Sequence, residues 1–245
     1  MDPAYYVAAG SLKARGFALD VISNNLANAS TRAYKADRTF YSLFNKAKGA
    51  GIPKQVNDGT VIGERGVNLE QGAVLATGRA LDLALEGKGF LVVRTPQGDR
   101  LTRDGRLKLG EGGQLQAMDG AAVLGKNNQP LNVNPAEGPV TVSPDGTVQQ
   151  ALAILGQLEI RDVDNPLALK KVGNTRFDTA GIQARPASLN TTIAQGHLEQ
   201  SGVDMPSAMV EMIRINRLFE MSMKVASTVS NDLDARSIND IGGLR

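Results

Sequence analysis

One glycine-bounded segment has the spacing of a phosphate-binding loop. Gly120 and Gly125 lie five positions apart and Lys126 follows the second glycine, as in the Walker A pattern. That pattern next requires a serine or threonine to hold magnesium, and Asn127 stands there instead. Pro130 follows closely, so the segment does not open the helix whose N-terminus would bind a phosphate. These residues favour a β-hairpin over a nucleotide site.

Side chains for acid–base or metal chemistry are few. His197 is the single histidine and the chain has no cysteine, so a metal site or a histidine-based triad would depend on that one residue. Asp99 with Asp104, and Asp162 with Asp164, are candidate acid–base pairs. Both pairs lie among Asn, Pro and Gly, where aspartate caps turns, and this turn role is favoured. We therefore expect no cofactor, no metal and no catalysis.

Basic and aromatic residues are interleaved after residue 33, in a pattern that resembles a nucleic-acid surface. They are Lys35, Arg38, Lys46, Lys48 and Lys54 with Tyr34, Phe40, Tyr41 and Phe44. The whole chain nevertheless carries 27 basic and 25 acidic residues, a net charge of +2, and no nucleic-acid-binding motif follows. We expect neither a nucleic-acid partner nor a small-molecule substrate.

Composition predicts a chain that is folded and does not span a membrane. At 245 residues and 42% hydrophobic content, it is long enough for one large domain or two modest ones. No run approaches the roughly 20 apolar residues of a membrane span. Met1–Tyr6 show no basic stretch leading into an apolar one, so no cleavable signal is expected and the cytosol is the default location. The absence of cysteine would suit a chain that crosses redox compartments unfolded.

Heptad-spaced apolar residues at both ends predict two helices. Residues 3–28 form the first, with Pro3 in its first turn and Gly10 and Gly16 inside it. The second has no glycine from Val203 to Ile241 and would run for about 36 residues, or roughly 54 Å. The seven-residue spacing joins Tyr5, Leu12, Leu19 and Leu26, and later Met205, Met212, Phe219, Ala226 and Leu233, with Met209, Asn216, Met223 and Ser230 on a companion row.

Between the helices the pattern changes to short strands. Residues 46–79 are polar and glycine-punctuated, which indicates an extended connector with isolated strands such as 59–62. Residues 39–44 are aromatic and fit a strand or a helix. From residue 80 to 195, period-two alternation and turn signals every 8–12 residues predict a β-sandwich or small barrel. The fold class is therefore α+β, with terminal helices pairing as a coiled coil around a central all-β domain.

The heptads admit two interpretations. They are ordinary core helices of one globular chain, or they face helices of neighbouring subunits. Four methionines on the heptad rows of the second helix (Met205, Met209, Met212 and Met223) favour the subunit interface, because their flexible side chains adapt to slightly different neighbours. The predicted assembly interface comprises Tyr5, Leu12, Leu19, Ile22, Asn24, Asn25, Leu26, Asn28, Met205, Met209, Met212, Phe219, Met223, Ala226 and Leu233.

Four motifs, in order along nearly the whole chain, resemble the flagellar rod and hook family. They are Ile22–Asn28 followed by Thr31, Tyr34 and Lys35; Leu81–Phe90; Leu101–Gly105; and Gly196–Asp204. Phe219–Lys224 is more similar to proximal-rod members than to distal-rod or hook subunits. Gly202 departs from the pattern, since the family usually has Asn there, and this departure predicts a looser entry into the last helix.

The resemblance implies a structural role outside the cytosol. Members of the family are exported by the flagellar type III apparatus without a cleaved signal, and they assemble as a helical tube through the periplasm. The expected partners are other rod subunits, copies of the same chain and the export apparatus. Residues 1–45 and 200–245 would form the helical assembly domain, residues 46–79 the connector, and residues 80–195 the β-rich outer domain.

Two alternatives stay open at this point. A distal-rod or hook-type axial subunit would share most of the same motifs. A secreted hydrolase acting on the cell wall would need a carboxylate pair in a cleft, and the sequence shows none. A secreted wall-binding module would need a β-domain that stands alone with a ligand surface.

Overall fold

The computed structural model describes residues 3–43, 60–163, 169–179, 184–186 and 190–242. Within these ranges, side-chain surroundings are described except at residues 3–8, 40–43, 60–65, 184, 229–230 and 232–242. Predictions about the side chains of Tyr5 and Leu233, about Asp164, and about residues 46–59 of the connector therefore lie outside the described residues.

Both predicted helices are present. Helix α1 spans Pro3–Ala27 and helix α2 spans Met205–Gly242, or 25 and 38 residues. At a rise of 1.5 Å per residue, α2 is about 57 Å long. Neither helix, as far as it is described, combines the length and apolar character that crossing a membrane requires.

Short strands fill the middle of the chain, as the alternation predicted. Residues 39–44, for which strand and helix were both open, lie largely in strand β1. The described strands are β1 Asp37–Leu43, β2 Thr60–Val67, β3 Val74–Ala76, β4 Leu83–Glu86, β5 Phe90–Thr95, β6 Gly98–Thr102, β7 Leu107–Leu109, β8 Leu115–Ala117, β9 Ala122–Val123, β10 Val140–Val142, β11 Thr147–Gln150, β12 Ala153–Gln157, β13 Ile160–Val163, β14 Lys171–Val172, β15 Arg176–Asp178, β16 Ala184–Pro186, β17 Thr192–Gln195 and β18 His197–Glu199.

The fold is α+β, and the chain divides into two compact units. The helical unit contains Met1–Ala27, Asp37–Arg65 and Met205–Arg245, and therefore both helices, strand β1 and most of its partner strand β2. The β unit contains Asn28–Ala36 and Gly66–Asp204.

Strand β5 organises the β unit. It lies inside a nine-stranded sheet of order β14-β15-β6-β5-β9-β8-β7, to which β13 and β16 are joined. Because successive side chains point to opposite faces, Leu91 and Val93 enter one apolar cluster while Phe90 and Val92 enter another. Cores on both faces explain why this strand is an uninterrupted apolar run.

Glycine at position 105 is required by a close backbone approach. A Cβ there would lie 1.7 Å from the carbonyl oxygen of Leu83, and the Gly105 carbonyl accepts a 2.9 Å hydrogen bond from the Leu83 amide. At Gly202 the nearest atom to an added Cβ is the Tyr34 carbonyl oxygen at 3.5 Å, which is ordinary contact.

Gly105→Ala should therefore lower the free energy of unfolding of the β unit by about 3 kcal/mol or more, because rigid backbone must move. Gly202→Ala, the matched control, should change it by less than about 1 kcal/mol. Urea unfolding of the full-length chain, followed by amide hydrogen exchange, measures both. Equal effects of the two substitutions would contradict this account.

Candidate assembly interface

The two helices pack against each other antiparallel within the helical unit. The Arg15 guanidinium donates a hydrogen bond to the carbonyl oxygen of Leu218. The ring of Phe219 lies 3.8 Å from where a Cβ on Gly16 would stand. Nearer the other end of α1, Ile22 shares a groove with Glu211 and Ile215. Residue numbers thus increase along α1 in the direction in which they decrease along α2, so the two helices are antiparallel.

The fully buried face of α1 consists of small and polar residues. Ala14, Ala18, Val21 and Asn25, spaced four, three and four apart, are each at most 8% exposed. This spacing places them on one side of the helix, and we call them the small-residue seam. Short side chains let two helix backbones approach closely. Among the α2 side chains that the structure describes, Ile215 and Ser222, seven positions apart, are buried.

The predicted leucine row is displaced from this seam. Leu12, Leu19 and Leu26 are half-buried and occupy the flank of α1. Ile22 is also half-buried. The row was predicted from hydrophobicity, which ranks leucine above alanine, whereas close contact between backbones selects alanine. The leucines therefore keep part of their apolar surface outside the α1–α2 contact.

On α2 the predicted interface residues separate into two groups. Met212, Phe219 and Ala226 are half-buried beside the contact with α1. Other large apolar side chains are exposed along this helix, at Met205, Met209, Val210, Ile213, Met221, Met223 and Val225. Monomeric proteins rarely expose apolar patches of several hundred Å², and such patches mark interaction sites.

Asn25 connects α1 to the start of β1. Its Nδ2 donates to the Asp37 carbonyl oxygen at 2.9 Å, and its Oδ1 accepts from the Asp37 amide at 2.9 Å. The side-chain amide thereby pairs with the backbone as another peptide group would, which satisfies both groups although Asn25 is buried. Asn24, next to it, is exposed.

Asn28 belongs to the β unit and is also buried. Its Oδ1 accepts hydrogen bonds from Thr31 Oγ1 at 3.2 Å and from Asn174 Nδ2 at 2.9 Å. The turn that follows α1 is closed by the Thr31 amide, which donates to the Asn28 carbonyl oxygen at 3.0 Å. Asn25 and Asn28 thus stabilise the fold of their own chain. Their contribution to contacts with neighbouring subunits stays a prediction.

A buried charge cluster lies in the β unit. The Lys35 ammonium contacts Glu199 Oε1 at 2.5 Å, and the side chains of both residues are at most 1% exposed. Glu199 Oε1 also accepts from the Gly72 amide at 2.9 Å, and Lys35 donates to the Glu70 carbonyl oxygen at 2.8 Å. Arg103 lies 3.6 Å from Glu199 Oε2, which has no hydrogen-bond partner among the described residues. We call Lys35, Arg103 and Glu199 the charge cluster.

Burial determines the electrostatics of this cluster. Loss of hydration lowers the pKa of Lys35, and the neighbouring Glu199 carboxylate raises it back in part. Burial likewise lowers the pKa of Arg103, against an opposing effect of Glu199. The Arg103 guanidinium also donates to the Gly87 carbonyl oxygen at 2.6 Å and lies 5.3 Å from the centre of the Phe90 ring.

The charge cluster brings three sequence motifs together. Lys35 follows the first helix, Arg103 belongs to Leu101–Gly105, and Glu199 belongs to Gly196–Asp204. Sequence reasoning noticed the motifs but missed that their charged residues meet. Each of the three motifs carries one charge of the cluster, but no local pattern in the sequence shows that these charges meet. Lys35 and Tyr34, both 1% exposed, therefore take no part in a nucleic-acid surface; Lys46, Lys48, Lys54 and Phe44 lie outside the described residues.

The other candidate residues occupy turns and strands. Gly120 has φ of 90° in the turn between antiparallel β8 and β9, which confirms the hairpin. His197 Nδ1 lies 2.8 Å from the Gln195 carbonyl oxygen. Asp99 pairs with Arg94 at 2.9 Å, and Asp104 with Arg106 at 2.6 Å. In the part of the chain that is described, no cluster of His, Asp and Glu is arranged to hold a metal ion.

Family models match three parts of this chain. Residues 6–35 match "Flagella basal body rod protein", residues 84–150 match "Flagellar hook protein FlgE/F/G D1 domain", and residues 194–239 match "Flagellar basal body rod FlgEFG protein C-terminal". The first match contains most of α1 and Lys35. The third contains Glu199 and most of α2.

Curated relatives match at full length. The flagellar basal-body rod protein FlgF of Rhizobium meliloti is 31% identical over 254 residues, covering 100% of both chains. FlgF of Caulobacter vibrioides is 30% identical over 250 residues, again covering 100% of both. The flagellar basal-body rod protein FlgG of Buchnera aphidicola subsp. Acyrthosiphon pisum is 31% identical over 253 residues, covering 93% of this chain and 96% of its own.

Lys35→Ala should lower the free energy of unfolding of the β unit by about 3–5 kcal/mol, because it leaves a buried carboxylate without its closest cation. Arg94→Ala, which breaks the exposed ion pair with Asp99, is the matched control and should have little effect. Urea unfolding of the full-length variants provides the comparison. Similar midpoints for the two variants would show that the charge cluster does not stabilise the unit.

Proposed function

The chain belongs to the flagellar basal-body rod protein family, and we propose that it builds the rod through its terminal helices. Its role is that of a structural subunit of the flagellar basal body. The observation that carries the assembly proposal is the surface of α2, where Met209, Ile213, Met221 and Met223 are exposed on sides of the helix that do not face α1. Neighbouring helices would cover these side chains, and we propose that the helices join as coiled coils.

We propose that this subunit belongs to the proximal rod. Two FlgF relatives cover 100% of the chain, which supports this position. The alternative is a distal-rod or hook-type axial subunit, and FlgG relatives at similar identity keep it open. Electron microscopy of isolated basal bodies, with a tag in the β unit, discriminates the two. A tag at the hook-side end of the rod would reject the proximal position.

We propose that successive segments of the chain have different roles in the rod. Residues 1–45 and 200–245 form the assembly domain, residues 46–79 the connector, and residues 80–195 the outer domain. The proposed interface consists of the residues predicted from the sequence. Neighbouring subunits would cover the surface that remains exposed on the half-buried Leu12, Leu19, Leu26 and Phe219. The partners are other rod subunits and copies of the same chain.

We propose that the subunit reaches the periplasm through the flagellar type III export apparatus without a cleaved signal. Family membership supports this route. The absence of cysteine supports it further, because a cysteine-free chain forms no disulfide on passing from a reducing to an oxidising compartment. Detection of the intact N-terminal residues in purified basal bodies by mass spectrometry would test it, and a shortened N-terminus would contradict it.

A catalytic role is not part of the proposal. A hydrolase acting on the cell wall would need two carboxylates free to act as acid and base. Asp99, Asp104 and Glu199 each form an ion pair instead. Zymography on peptidoglycan is the direct test, and a cleared band at the position of this protein would require an enzymatic function.

Leu26→Asp and Phe219→Asp should each abolish incorporation into the rod and swimming. A carboxylate at either position opposes burial against a neighbouring helix. Leu152→Asp is the control, because Leu152 is fully exposed in the β11–β12 turn and the same charge is added outside the helices. Immunoblots of basal bodies and swimming assays report the outcome, with amide exchange of the β unit unchanged. Normal swimming with Asp at position 26 or 219 would reject the helices as interfaces.

A further inference from the structure

An open groove of about 300 Å³ lies between α1, the start of β1 and α2. Its apolar walls are formed by Ala18, Val21 and Ile22 of α1 and by Ile215 of α2. We call it the helical groove. Ala18, part of the small-residue seam, leaves room that a larger side chain would fill. Its walls therefore suit an apolar side chain better than a polar ligand.

Charged residues border the helical groove. Glu211, Asp37 and Arg38 are among the residues that line it. Glu211 also pairs with Arg214 of the same helix at 3.4 Å. A partner that enters this groove should therefore combine an apolar row with flanking charges of both signs.

The same unit presents such a row on α2. Met205, Met209 and Ile213, four residues apart, are 42%, 46% and 56% exposed. We call them the exposed row. The next positions along this side of the helix are Arg217 and Glu220, both exposed. Arg217 has the charge opposite to that of Glu211 at the groove, and Glu220 has the charge opposite to that of Arg38.

The exposed row and the helical groove point in different directions. With 3.6 residues per turn, Met209 and Ile213 lie about 160° around α2 from Glu211 and Ile215. A molecule cannot place its own row in its own groove. Nor can two molecules exchange rows in one two-fold contact, because row and groove lie on opposite faces. Such a contact is heterologous and repeats from copy to copy.

We infer that the exposed row of one copy packs into the helical groove of the next copy, head to tail. The inference rests on the proposed function and deepens it by naming the two surfaces that meet. The apolar row covers the groove walls, and the bordering charges set its register along the helix. Each copy then uses two different faces for two different neighbours.

Cross-linking tests the contact directly, since the chain contains no native cysteine. Ile22→Cys with Met209→Cys places one thiol in the groove and one on the row. Ser23→Cys with Met209→Cys is the matched control, because Ser23 is the next residue of α1 and is exposed. Basal bodies isolated from cells expressing each full-length variant are oxidised and run on a non-reducing gel.

The Ile22/Met209 variant should give a ladder of dimers and higher multimers, whereas the Ser23/Met209 control should stay monomeric. A product that stops at the dimer, equal cross-linking in both variants, or a cross-link to a different rod protein would overturn the inference. Monomer alone in basal bodies that contain the subunit would overturn it and leave the proposed function intact. Absence of the native subunit from wild-type basal bodies would instead reject the proposed function.

A second form of the test guards against poor incorporation of the double variant. Cells co-express the two single variants, Ile22→Cys and Met209→Cys, so that every copy keeps one native surface. Oxidation should then give a dimer, and the dimer should disappear on reduction. Swimming cells that yield no dimer would contradict the head-to-tail contact.

Discussion

A carboxylate that is shielded from water must be neutralised by its neighbours, and Glu199 draws on three distant parts of the chain for this. Lys35 comes from the segment after α1, Arg103 from the residue that follows β6, and the Gly72 amide from the segment before β3. None of these parts can leave without exposing an unpaired charge to an apolar interior. The β unit therefore depends on the segments that lead into and out of the helices, and Arg103 also joins the charge cluster to Phe90 of one apolar cluster.

The helical unit depends on a different constraint, the small size of the side chains on the buried face of α1. Ala14 and Ala18 are buried where a leucine would have kept the helices apart. Asn25 completes the same face by pairing with the backbone of Asp37. The larger apolar side chains are consequently displaced to the flanks of α1 and to the exposed side of α2. If all the apolar side chains were buried within one chain, no apolar surface would remain to contact a neighbouring subunit.

Much of the fold was predictable from local patterns. The glycine-free stretch after Val203 predicted α2, and the alternation near Leu83 predicted strands, because both signals lie within a few residues of one another. The fold class and the family followed from the same kind of signal. The charge cluster was not predictable, since Lys35 and Glu199 are 164 residues apart and nothing local links them. The small-residue seam was missed for another reason, because heptad counting weighs hydrophobicity and ignores how closely two backbones approach.

The hydrogen bonds around Lys35 and Glu199 have a mechanical consequence. The Ala33 amide donates to the Glu199 carbonyl oxygen at 3.0 Å, and the Gly202 amide donates to the Tyr34 carbonyl oxygen at 2.8 Å. These bonds join the segment through which the chain enters the β unit to the segment through which it leaves. A force applied to one of these segments would therefore be passed in part directly to the other, and not only through the sheets of the β unit. In a rod under torque, this direct connection between the two segments would reduce the load on the β unit.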